Sequence, residues 1–142
     1  MTYVRATDPF PLQSAEHTKL HEFYTRLAAG RLSTTKCSGC GRTAWPPRGF
    51  CAECTSDRFE WVDLPTEGTV HGFSVQEAGL PPGFDAPRVF AMITVAGHRI
   101  FSVVRGADPA ALAIGTRVRL APIQVADDPK GQPRWLPAFT PA

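Results

Sequence analysis

The sequence predicts a mainly β protein in which an N-terminal amphipathic helix and a four-cysteine ribbon precede a five-stranded OB-fold barrel. Three observations carry that prediction. The four cysteines stand as two CxxC pairs, Cys37/Cys40 and Cys51/Cys54. Ahead of them, Leu20, Phe23, Tyr24, Leu27 and Ala28 follow the i, i+3, i+4, i+7, i+8 rhythm of one helix face. Past Pro65 the period changes to two, and five segments alternate as strands do. The implied division is 1–30 for arm and helix, 31–64 for the ribbon and 65–142 for the barrel.

At 142 residues with 43% hydrophobic side chains, the chain has enough apolar mass for a packed core. No stretch approaches the roughly 20 apolar residues of a membrane span, and Met1 to Phe10 carries no apolar run. A cytoplasmic location and no membrane partner are the corresponding expectations. Residues 1–13 read as an extended, proline-bearing arm. Ser14 is placed as an N-cap for a helix of about four turns that Gly30 stops. Glu22 and Arg26 are spaced for an i, i+4 ion pair. The apolar stripe either folds back on the body or docks on another protein, so Leu20, Phe23, Tyr24 and Leu27 are the candidate partner-binding residues. His17 and His21 share the i, i+4 spacing that could bind a metal, but the four-cysteine site is already complete without them.

Two residues between paired cysteines let one tight turn aim both sulfurs and several backbone N–H groups at one ion. Two such pairs complete a tetrahedral four-thiolate shell at Cys37, Cys40, Cys51 and Cys54, which suits zinc before iron. Two disulfides or a redox CxxC are the bland alternatives; a redox site needs only one pair. A closed shell leaves no open position for water or substrate, so the zinc is expected to be structural. Gly41 suits the left-handed residue such a knuckle requires. Between the pairs, Pro46 and Pro47 stiffen the chain, and Trp45 and Phe50 are expected to cover the knot. Arg42 and Arg48 either neutralise the anionic centre or are held out for phosphate.

Four thiolates around one divalent ion carry about −2, which cancels the formal +2 and weakens any general affinity for nucleic acid. The cations are mostly arginine, with Lys19, Lys36 and Lys130 the lysines, which fits either bidentate anion recognition or genomic base composition.

The five predicted strands are Gly68–Gln76, Val89–Val95, Arg99–Arg105, Thr116–Val125 and Arg134–Phe139. Ala96, Gly97 and His98 form a short connection that makes the second and third a hairpin. Asp108 and Pro109 are placed to begin a short helix through Leu112, stopped by Gly115. Five strands with a helix between the third and fourth is the order of an OB-fold; another small Greek-key barrel is the alternative.

The chain also resembles the DUF35 family, in which a rubredoxin-like zinc ribbon is followed by an OB-fold. The resemblance rests on Phe23, Leu27, Gly30 and Leu32, then the cysteines with Gly41 and Pro46-Pro47-Arg48, then Gly68-Thr69-Val70. It continues through Pro82, Gly83, Phe84 and Pro87 to Ile114, Gly115 and Val118. It implies an accessory subunit of thiolase-like (SCP2-type) acyl-CoA enzymes, with the chemistry in the partner. Aldolases of steroid side-chain degradation and acyltransferases are the implied settings, with the small subunit either completing the acyl-CoA channel or holding two active centres together. A dimeric partner would give a two-plus-two heterotetramer.

The residues agree with a non-catalytic role. Glu53, Asp57, Glu60, Asp63 and Glu67 read as a solvated face, and His71 and His98 as single structural histidines. Ser74 and Ser102 lie within strands and outside any Gly-x-Ser-x-Gly elbow. For acyl-CoA binding, Arg42, Arg48, Arg88 and Arg99 are the candidate phosphate cations, and Trp45, Leu80, Phe84 and Phe90 the candidate apolar path. Leu80–Pro87, with Gly83 as a flexible point and Phe84 as its tip, is expected along the channel. The chief rival is a single-stranded nucleic-acid binder using Arg99, Phe101, Arg105, Arg117 and Arg119. A self-sufficient acyl-CoA enzyme and rubredoxin-like electron transfer are the remaining alternatives.

Overall fold

The computed structural model describes residues 8–80, 84 and 88–142. Residues 1–7 of the arm, and Pro81, Pro82, Gly83, Asp85, Ala86 and Pro87 of the predicted channel loop, lie outside the described residues. Helix α1 spans His21–Ala28, shorter than its apolar period suggests. Ser14 opens a separate turn, its carbonyl accepting from the N–H groups of His17 and Thr18. The Thr18 hydroxyl then takes the Leu20 N–H at 3.1 Å. Short hydroxyl side chains compete with the helical ladder in this way, so the regular helix starts nearly two turns late. Its end is as expected, with Gly30 at φ 81°, and Glu22 and Arg26 form their ion pair at 3.3 Å. No helix among the described residues is long and apolar enough to cross a membrane.

Strands β1 (Leu32–Cys37) and β2 (Phe59–Leu64) pair antiparallel, Leu32 opposite Leu64 and Cys37 opposite Phe59, and the metal ribbon is the excursion between them. The barrel follows. Strands β3 (Glu67–Gln76), β4 (Arg88–Val95) and β5 (His98–Val104) form an antiparallel meander. Ala96 and Gly97, both at positive φ (47° and 83°), make the tight turn between β4 and β5, as a twisted two-residue hairpin demands. Strand β6 (Arg117–Leu120) pairs back on β3.

Beyond β6, the predicted fourth and fifth strands each break in two. Pro122 has no N–H to offer a ladder, and the chain leaves the wall there to form a separate hairpin of β7 (Ile123–Val125) and β8 (Arg134–Leu136). Pro137 makes the second break, and β9 (Ala138–Pro141) re-enters the wall parallel to β5 and antiparallel to β6. The barrel closes in the order β3-β4-β5-β9-β6, which is the OB-fold order. The short helix expected after Asp108 is only a turn. Asp108 does cap the Ala110 N–H at 3.0 Å, but the Gly115 N–H goes to the Val70 carbonyl of the barrel at 2.8 Å instead of back along a helix.

The barrel core is Val70, Ile93, Val95, Ile100, Val118 and Phe139, each at most 1% exposed. Phe23, Leu27 and Leu32 belong to the same continuous cluster. The helix therefore folds back on the body; Leu27 is fully buried and not available to a partner as the sequence reading allowed, while Phe23, 6% exposed, lies in the wall of a surface groove. Gly68 is required where β3 crosses β4: a Cβ there would stand 2.5 Å from the Thr94 carbonyl oxygen and 2.8 Å from Val95 Cγ2.

Candidate metal centre and binding surfaces

The four cysteine sulfurs lie within 4.8 Å of one another. Cys37 Sγ is 3.5 Å from Cys54 Sγ and Cys40 Sγ is 3.6 Å from Cys51 Sγ. A tetrahedral thiolate shell at a Zn–S distance of about 2.3 Å separates its sulfurs by about 3.8 Å, so the set fits one zinc ion with almost no rearrangement. Two equivalent knuckles build it. In Cys37-Ser-Gly-Cys40-Gly41 the Gly41 N–H returns to the Cys37 carbonyl at 2.9 Å; in Cys51-Ala-Glu-Cys54-Thr55 the Thr55 N–H returns to the Cys51 carbonyl at 3.0 Å. The fifth residue of each is left-handed, Gly41 at φ 78° and Thr55 at φ 63°. Thr55 thus does a glycine's work with a β-branched side chain, a point sequence reading missed although the parallel spacing displays it.

Backbone N–H groups aimed at the sulfurs prepare them for a cation. The Gly39 N–H lies 3.3 Å from Cys37 Sγ and the Glu53 N–H 3.4 Å from Cys51 Sγ. Chiefly the Cys40 N–H, and after it the Cys54 side chain and the Gly39 N–H, pull the Cys37 thiol down to about 6. Cys54 is helped by the Ser56 N–H, yet hydrogen bonding with Cys37, Cys40 and Cys51 pushes it up to about 11. Four sulfurs this close cannot all ionise unaided; a divalent ion resolves the conflict. The ion is structural zinc.

Beside the knot runs a cleft of about 240 Å³ lined by Arg42, Trp45, Arg48, Phe50, Arg58 and Phe59 among others, with Cys37 and Cys51 in its wall. The structure thus gathers the predicted Arg42, Trp45 and Arg48 and adds Arg58. Arg42 meets Glu53 at 3.8 Å. The Arg48 backbone N–H is fixed to Thr35 Oγ1 at 2.9 Å. Phe50 does not cover the metal as expected; it is 59% exposed at the cleft. Trp45 instead makes a T-shaped contact with Phe23, centroids 6.0 Å apart, and with Phe23, Leu20, Tyr24, Pro46, Pro47 and Leu136 it lines an apolar groove of about 220 Å³. Of the partner candidates, Leu20 and Tyr24 keep a half-buried position in that groove.

A second surface lies on the outer wall of the barrel. Core residues Val89, Ala91 and Ile93 alternate with Phe90 and Met92, which face outward. Met92 stands opposite Phe101 of β5, and Phe90 and Phe101 stack with centroids 5.8 Å apart and planes within 4°. Phe84 meets Phe90 edge-on at 5.8 Å, and the Arg88 guanidinium sits 5.5 Å over the Phe84 ring. Phe101 is 64% exposed. Arg99, opposite Thr94, lies further along the strand. The predicted Phe84, Arg88, Phe90 and Arg99 therefore share this face, apart from the ribbon cleft that holds Arg42, Trp45 and Arg48. Leu80 is half-buried.

The acidic residues behave as a solvated face. Asp63 pairs with Arg31 at 2.8 Å and Arg26 at 3.8 Å, and Glu67 with Arg117 at 3.2 Å. Ser102 donates to the Pro137 carbonyl at 3.0 Å. His17 is bound to Ser14 Oγ at 2.8 Å, and among the described residues the four cysteines are the one group placed to hold a metal.

Comparison with known proteins agrees with this anatomy. Residues 25–60 match the family described as ChsH2, rubredoxin-like zinc ribbon domain, and residues 61–121 the family described as ChsH2, C-terminal OB-fold domain. A DUF35 domain-containing scaffold protein of Methanothermobacter thermautotrophicus is 30% identical over 92 residues, 63% of this chain and 69% of that protein. Among solved structures, the Ltp2-ChsH2(DUF35) aldolase superposes with a TM-score of 0.70 at 26% identity, covering 84% of this chain and 91% of that one. A DUF35-family protein of unknown function from Sulfolobus solfataricus shares the fold, with a TM-score of 0.54 at 20% identity over 75% of this chain and 81% of its own. The zinc ribbon, the barrel order and these likenesses together establish that the chain belongs to the DUF35 family.

Proposed function

We propose that the chain is a non-catalytic subunit that docks on a thiolase-like (SCP2-type) partner and helps form its acyl-CoA channel. The observation that carries this reading is the likeness to the Ltp2-ChsH2(DUF35) aldolase along 84% of the chain. The exposed apolar wall supports it, since large outward aromatics on a closed barrel mark an interaction surface. In this reading Phe84, Phe90 and Phe101 lie along the shared channel, and Arg88 and Arg99 serve the CoA phosphates at its ends. Arg42, Trp45 and Arg48 form a second cationic, aromatic candidate for the CoA head at the ribbon. Leu20 and Tyr24 seat a partner side chain in the groove. An aldolase, with steroid side-chain degradation as the leading case, is favoured over an acyltransferase, in a two-plus-two assembly as closed two-fold symmetry favours.

The test is reconstitution. The chain alone is expected to turn over no acyl-CoA, the thiolase-like protein alone little, and the co-expressed pair to cleave or condense acyl-CoA. Turnover by the isolated chain, or a partner fully active without it, would refute the assignment.

A further inference from the structure

The first dozen residues have no sequence pattern, yet their described part is fitted to the body with unusual completeness. Arg134 on β8 is 2% exposed and uses all five guanidinium N–H donors. Nε donates to the Ala126 carbonyl at 2.8 Å, and one Nη2 bond goes to the Asp127 carbonyl at 3.0 Å. The rest reach the arm: Asp8 Oδ2 at 2.8 Å and the Phe10 carbonyl at 3.1 Å from Nη1, and Asp8 Oδ1 at 3.2 Å from Nη2. Asp8 Oδ1 also accepts the Phe10 N–H at 3.1 Å. Three residues on, the Gln13 amide pairs with Trp135 like one more strand residue, donating to its carbonyl at 2.7 Å and accepting its N–H at 2.9 Å.

Between these two clamps Phe10 is driven inward to 8% exposure. The Arg134 guanidinium lies 5.5 Å over its ring, and the ring meets Phe84 edge-on at 5.7 Å. Phe84 is the first member of the outward row Phe84, Phe90, Phe101. A buried arginine with three of its five donors on the arm, and a buried aromatic set between that arginine and the row, form one contiguous path from β8 to the exposed face.

We propose that Asp8, Phe10 and Arg134 are positioning residues: the Arg134–Asp8 clamp seats Phe10, and Phe10 fixes the Phe84 ring at the edge of the aromatic binding face. The placement of Phe84 stands on the geometry alone; its importance for binding rests on the proposed function.

Asp8→Asn keeps the shape but weakens the charge-assisted fork, and Phe10→Leu keeps an apolar filler while removing the ring contact. The full chain labelled with 4-fluorophenylalanine is observed by fluorine NMR, and the affinity of each variant for the thiolase-like protein that co-purifies with the chain is measured beside it. Both variants are expected to shift the Phe84 and Phe90 resonances, leave Phe23 and Phe139 in place, and weaken the partner by up to about tenfold, the worth of one aromatic contact. A Phe84 resonance unmoved by either variant overturns the proposal whatever the partner does. A moved resonance with unchanged partner affinity, where Phe101→Ser does weaken the partner, overturns the positioning role. If Phe101→Ser leaves the partner unaffected while Phe84 still moves, it is the docking reading that fails and the clamp on Phe84 that stands.

Discussion

Replacing Phe101 with serine should separate folding from association. A phenylalanine side chain presents about 200 Å², and Phe101 is 64% exposed, so about 130 Å² is still available to a partner. At about 25 cal/mol per Å² that area is worth about 3 kcal/mol when fully buried, or about two orders of magnitude in Kd. In the free subunit the ring's chief contact is the stack on Phe90, worth about 0.5–1.5 kcal/mol. Phe101→Ser should therefore lower the melting temperature by only a few degrees while weakening the thiolase-like partner by up to about a hundredfold. Titration calorimetry of the pair, with zinc content and thermal melting of the variant as controls, reads both numbers. An unchanged Kd with an intact fold would show that the outer wall of β4 and β5 is not the docking face.

Cys40→Ala should lose the metal and open residues 37–58 to protease, because structural zinc supplies on the order of 10–16 kcal/mol to small thiolate sites; elemental analysis and limited proteolysis check it. Gly68→Ala should destabilise by about 1–3 kcal/mol, as overpacking does, since its Cβ would press on backbone 2.5 Å away; urea unfolding measures it. Thr55→Gly should stabilise the holo chain by up to about 1 kcal/mol by relieving a left-handed threonine, unless its hydroxyl bond to the Cys54 carbonyl at 2.7 Å offsets the gain, in which case the midpoint will not rise and strain at φ 63° is not the governing term. The carboxyls of Asp8, Glu16 and Asp63 are held below the usual range by hydrogen bonds from Arg134, Lys130 and Arg31 respectively. Their stabilising effect is present above the ordinary carboxylate pKa and lost as pH falls through the depressed folded values, so melting temperature should fall with acid below about pH 4, and less steeply in Asp8→Asn.

The metal centre was legible because two knuckles at fixed spacing leave little freedom, and the barrel because β6 alternates cleanly and the short Ala96-Gly97-His98 connection marks the β4–β5 hairpin. The outer aromatic row was not. Around Val89–Val95 both faces are apolar, so period two cannot say whether Phe90 or Ala91 points inward; only closure of the barrel decides. The same tertiary demand took the Gly115 N–H away from the predicted helix. Pro122 and Pro137 were visible as breakers, but the alternation on either side of each masked them. The arm was illegible for a different reason: Asp8, Phe10 and Gln13 find their partners 122–126 residues away, and no local pattern records such a contact.

The central question for this chain is whether it has a stoichiometric enzyme partner. Affinity purification of the tagged chain from its native host at moderate salt, with nuclease treatment and mass spectrometry of what co-elutes, answers that. The expected result is a thiolase-fold protein in near-equal amount, surviving nuclease and running with the chain as a two-plus-two complex. Salt-sensitive nucleic acid with no stoichiometric protein would contradict it and make the outer barrel wall, with Arg99, Arg117 and Arg119, a strand-binding face instead.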